Sequence, residues 1–136
     1  MDNRSRRTDI FKILFQTEFQ SGVDVSELAS LYQESNEIAD DEIKEITDKL
    51  NDIESHLEEI DSKIEEASNG WKLNRIGKAE LAILRLSVYE ILFESDNEDA
   101  ITADEAVRLA KEYTADAAPA FVNGILGTII RGKESV

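Results

Sequence analysis

Residues 40–66 read DDEIKEITDKLNDIESHLEEIDSKIEE, and the fold class turns on them. Ile43, Ile46, Leu50, Ile53, Leu57, Ile60 and Ile64 recur in alternating steps of three and four without a miss. That is the period of one helix face and not the alternation of a strand. Asp and Glu fill the positions between and mark the solvent side. The spacing predicts one helix of about two dozen residues, with two candidate occupants for its stripe. The first is the chain's own core, which the length favours because three heptads are the lower limit for a coiled coil; the second is another copy of the chain, in a homodimer.

The same helical bias runs through the whole chain. It has 136 residues, one proline and six glycines, and is rich in Glu, Ala, Leu, Ile and Lys. This length suits one domain with a real core and is short for two. The absence of cysteine excludes disulfides, thiolate metal sites and cysteine nucleophiles, and points to a reducing, cytoplasmic location. The start, MDNRSRRTDIFKILFQ, has no secretory pattern, and no stretch approaches a membrane span. The net charge of −15 argues against nucleic acid as a partner, but residues 24–66 alone hold 16 acids against 3 basic residues. Arg4, Arg6, Arg7 and Lys12 oppose only Asp2 and Asp9 in the first 12 residues, a small basic pole on an acidic body.

Along the chain, residues 3–20 predict a first helix with an apolar side of Ile10, Phe11, Ile13, Leu14, Phe15 and Phe19, ended by Gly22. Asp24-Val-Ser-Glu27 is a capping-box pattern opening a helix to about Gln33 that buries Val25, Leu28, Ala29 and Leu31. Ser68-Asn69-Gly70 is a helix stop. Trp71 and Leu73 follow it as anchors of a joint, which places the seam between an N-terminal half, about 1–69, and a C-terminal half, about 70–136, of a single domain over 1–136. Residues 79–94 are apolar around most of the circumference and predict a central, buried helix. Thr102-Ala-Asp-Glu105 reads as a second capping box before a helix burying Ala106, Leu109, Ala110 and Tyr113. The last helix starts near Asp116, accommodates Pro119 in its first turn and runs to about Arg131. The expected fold is all-α, about seven helices.

Asn123-Gly124 interrupts that last helix, where Asn-Gly otherwise signals a hairpin. Ala118, Val122, Ile125 and Ile129 keep the helical period across it. A helix-interior glycine costs about 1 kcal/mol relative to alanine. Gly124 is therefore expected to allow close packing on the helix at 79–94, so that Gly124→Leu overpacks by about 1–3 kcal/mol.

Signatures of catalysis are thin. His56, the only histidine, lies among acids and reads as a solvated surface residue, and neither a zinc nor a triad constellation can be built around it. There is no glycine-rich phosphate loop and no calcium-loop spacing, so no cofactor, metal or catalytic residue is assigned and the chain reads as a non-enzyme. Binding is what remains. Three arginines at a helix start oppose the macrodipole unless an anion is present. With Phe15 on the same helix and Phe121 near the start of the last, they supply what single-stranded RNA needs: guanidinium groups for phosphates and rings for unstacked bases. The competing readings are a solubilising basic tail for the arginines and core packing for Phe15 and Phe121.

RRTDIFKILFQTEF, WKLNRI at 71–76, AELAILRLSVYEIL at 79–92, ITADEAVRLAKEY at 101–113 and FVNGIL at 121–126, in this order, resemble the NusB transcription antitermination factors over nearly the whole chain. Residues 20–66 match in helical pattern only. The resemblance implies an all-helical fold of two packed halves and an adaptor that, with the ribosomal protein also called NusE, holds boxA-type RNA and ties it to the transcription elongation complex on ribosomal RNA operons. It implies RNA contacts at Arg4, Arg6, Arg7, Phe15 and Phe121, with Asp116 close by. It also implies a partner-protein surface on the exposed sides of the helices at 79–94 and 102–113. Pro119 and Ala120 stand where the family usually has a basic or polar residue, and Asn97-Glu98-Asp99 replaces a usual proline. Fewer cations imply a shallower salt dependence and weaker RNA binding without the partner. The rival reading is an acidic protein-interaction adaptor of the same fold with little RNA affinity.

Overall fold

A computed structural model describes residues 3–20, 22–94 and 97–134. Among them the chain forms seven α-helices and one 3-10 turn, with no strand. It divides into two compact units, Met1–Ser55 and His56–Val136.

The first unit is built from α1 (Asn3–Thr17), α2 (Val25–Asn36) and α3 (Asp40–Ser55), each packed on the other two. Ile10, Phe11, Ile13 and Leu14 from α1 meet Val25, Leu28, Ala29 and Tyr32 from α2 and Ile43, Ile46, Leu50 and Ile53 from α3 in its core. The α1 helix stops earlier than its apolar pattern predicts, because Glu18 and Phe19 donate to the carbonyls of Phe15 and Gln16 three residues back, tightening the last turn before Gly22 takes a φ of +86°. Asp24 caps α2 by accepting from the Ser26 amide at 3.2 Å. α2 runs past Gln33 to Asn36, and Leu31 is 59% exposed where burial was expected. The buried row is 25, 28, 29 and 32; residue 31 lies about 100° of helix rotation from Tyr32 and points away. The Tyr32 hydroxyl ties α2 to α1, donating to Asp9 at 2.5 Å.

In the second unit, α4 (Leu57–Ala67), α6 (Asp99–Tyr113) and α7 (Ala118–Glu134) surround α5 (Lys78–Phe93), and a 3-10 turn spans Leu73–Arg75. Eleven of the sixteen residues of α5 are buried, as its all-round apolar sequence predicts. Arg85 holds α4 through a two-pronged pair with Asp61, both N–O distances 2.9 Å. Lys133 Nζ donates to the Ile91 carbonyl at 2.9 Å and to the Asp99 carboxylate, satisfying a last-turn carbonyl of α5.

Several expectations change at this level. The stripe of residues 43–64 is interrupted at His56, between α3 and α4, and its members are buried within the chain's own units, apart from the partly buried Leu57. The unit boundary falls there and not at Gly70, because α4 packs on α5 and α7. His56 is less exposed than expected: it is partly buried, and its ring stacks on Phe93 with centroids 4.0 Å apart and planes 20° from parallel. Trp71 is 55% exposed and anchors no joint. α6 begins at Asp99, which puts Thr102 and Glu105 inside the helix, buried, and leaves no capping box there; Tyr113 is exposed.

Gly124 is exposed within α7, and a Cβ added there would meet nothing within 4 Å. The close approach expected of it is absent, and leucine would not overpack. Gly124→Ala is instead expected to stabilise the protein by up to about 1 kcal/mol, by removing a flexible residue from a helix interior. Urea unfolding of the two forms checks this; a lower midpoint for alanine would contradict it.

Candidate nucleic-acid interface

The start of α1 carries the three arginines, and the fold treats each differently. Arg4 is exposed. Arg6 is partly buried and held between two carboxylates of α3: Nη2 lies 2.5 Å from Glu42 Oε2 and Nη1 2.6 Å from Glu45 Oε2. The hydrogen bond to Glu42 is the main cause raising the Arg6 pKa above its ordinary value, and the same bond lowers that of the Glu42 carboxyl. Arg7 is buried, at 6% exposure, as part of the wall of the first unit. Of the three arginines in the expected basic pole, Arg4 is therefore exposed, Arg6 is engaged by α3 and Arg7 is buried. Helical spacing explains the burial: Arg7 sits one turn before Ile10 and Phe11 and two turns before Leu14 on the buried face of α1.

Phe15 lies on the same helix, partly buried between two other rings. It stacks on Phe11 (5.9 Å, 6°) and meets Phe19 edge-on (5.2 Å, 72°). Phe11 is buried and Phe19 is 62% exposed, so the three rings form a ladder from core to solvent. Phe19, expected on the apolar side of the first helix, is exposed because α1 ends at Thr17 before reaching it.

In the second unit, Asp116 is exposed in the turn before α7, and Phe121 is partly buried within that helix's first turns. A groove runs between α6 and α7, with Arg108 and Lys111 on one side and Pro119, Ala120 and Asn123 on the other. Arg108 lies 3.2 Å from Glu105 and 3.3 Å from Glu112. The two helices expected to carry a partner surface differ in exposure. α5 exposes only Lys78, whereas α6 exposes Ile101, Asp104, Lys111, Glu112 and Tyr113.

Among the described residues, no group of three His, Asp or Glu side chains is arranged to hold a metal ion, and no helix is long and apolar enough to cross a membrane. The described residues thus form an all-helical scaffold, with an arginine-bearing start of α1 in the first unit and Phe121 near the start of α7 in the second. The chain belongs to the NusB family, whose sequence profile matches residues 4–131. It is 47% identical over 124 residues to the transcription antitermination protein NusB of Agathobacter rectalis, covering 88% of this chain and 92% of that one. Its fold is similar to that of T. maritima NusB, with a TM-score of 0.89, 32% identity, and coverage of 96% and 92% of the two chains. It is also similar, at TM-score 0.84 and 29% identity over 95% of this chain and 96% of the other, to a chain in a crystal structure of the antitermination factors NusB and NusE in complex with dsRNA.

Proposed function

We propose that this protein is a non-catalytic antitermination adaptor of the cytoplasm, which binds boxA-type single-stranded RNA together with the ribosomal protein NusE and supports transcription of ribosomal RNA operons. The observation that carries this reading is the near-full-length likeness to a chain solved with NusE and dsRNA. Local chemistry supports it: Arg4 is exposed at the start of α1, and the partly buried rings of Phe15 and Phe121 suit bases that are free to unstack. Asp116, exposed beside the start of α7, suits hydrogen bonding to a base or ribose. The exposed side of α6, with Ile101 at 47% exposure among charged neighbours, is the surface we assign to NusE.

Two features favour the rival, a protein-interaction adaptor with little RNA affinity: Arg6 is engaged by Glu42 and Glu45, and Arg7 is buried. Titration of labelled boxA-type RNA, single-stranded and as a duplex, with and without NusE, separates the two. The adaptor reading expects single-strand binding that tightens with NusE and weakens with salt. Phe121→Ala is expected to weaken it about tenfold through lost stacking, and Arg4→Ala to flatten the salt slope by about 0.7. No binding in either mixture supports the rival.

A further inference from the structure

A groove in the first unit, between the ends of α1 and α2, has Phe19, Leu28, Leu31 and Tyr32 as its apolar surface. Phe19 and Leu31 are the two most exposed large hydrophobic side chains among the described residues, and both line this groove. Its remaining lining is Gln16, Gln20, Ser35 and Asn36. None of these side chains is charged, in a protein whose residues are one-third charged.

We propose that this groove holds an unpaired nucleobase, stacked on Phe19, that continues the RNA path from Phe15. The inference rests on the RNA-binding reading above and extends it to a contact not carried over from the family resemblance. Three observations favour a base as the occupant. The Phe19 ring packs edge-on against Phe15, so a strand contacting one ring meets the next after 5.2 Å. Amide and hydroxyl groups beside an apolar surface match a base, which has a neutral π-face and a hydrogen-bonding edge. A protein partner is matched better by the α6 surface, where exposed Ile101 shares the helix with exposed Asp104, Lys111 and Glu112, and a second copy of a chain at −15 is disfavoured by self-repulsion. Stacking uses the neutral face of the base, so the groove needs no cation.

The test uses the full chain and a single-stranded boxA-type RNA, with NusE present. Phe19→Leu keeps apolar bulk and removes the flat ring. It is expected to weaken RNA binding by roughly 5- to 100-fold with the salt slope unchanged, since a neutral contact releases no counterions. Phe19→Tyr restores binding. Phe19→Trp in a Trp71→Phe background is expected to show fluorescence quenching on RNA addition. Wild-type affinity in Phe19→Leu, alongside weakened binding in Phe121→Ala, overturns this inference and leaves the RNA-binding reading standing. No RNA binding by the unaltered chain overturns both. Loss of NusE binding in Phe19→Leu without loss of RNA affinity assigns the groove to protein and also overturns the inference.

Discussion

Replacing both Glu42 and Glu45 with glutamine is expected to raise RNA affinity at least about tenfold, because a phosphate reaching Arg6 in the unaltered protein must displace two carboxylates that already hold it. The double variant leaves the guanidinium in place with neutral, weaker neighbours. One recovered phosphate contact steepens the dependence of log affinity on log salt by about 0.7 for a single strand. RNA titrations at several salt concentrations check both effects together. Unchanged or lower affinity would mean that the carboxylates orient Arg6 for RNA and do not compete with it. The pair also predicts an acid-side effect on stability. Glu42 is held below its ordinary value of 4.5, so its contribution is fully present above that value and is lost as pH falls through the lowered one. The double variant should show a flatter loss of stability in that acidic window.

Leu84→Ala is expected to destabilise the second unit by about 2–5 kcal/mol, from lost burial plus the cavity left behind. Leu84 is fully buried in α5, the helix on which α4, α6 and α7 all pack. Urea unfolding of the two forms, followed by the loss of helical circular dichroism, measures the change. A loss below about 1 kcal/mol would show that the surroundings collapse readily around the site and that α5 is not the central element of its unit.

Much of the fold was legible because its signals are local. The steps of three and four from Ile43 to Ile64, the all-round apolar sequence of α5 and the Ser68-Asn69-Gly70 stop each depend on residues within a few turns. The misreadings fall where another element decides. Asn69 and Gly70 do take the positive φ expected of a helix end, yet the unit boundary lies at His56, because α4 packs on α5 and α7. Thr102 and Glu105 spell a capping box, but α6 already starts at Asp99 and buries both.

The candidate site divides in the same way. Residue chemistry and order pointed to arginine and aromatic side chains on a helical scaffold of the NusB family, since side-chain type is written in the chain and helical period needs no distant partner. Packing decided which of those groups are available. The carboxylate that raises the Arg6 pKa lies 36 positions away on α3; Arg7 turns inward while Arg4 stays in solvent; Phe19 emerges from what read as a core row; and Gly124 faces open space. Pairings of that kind depend on how helices meet across long sequence separations, and no local pattern encodes them.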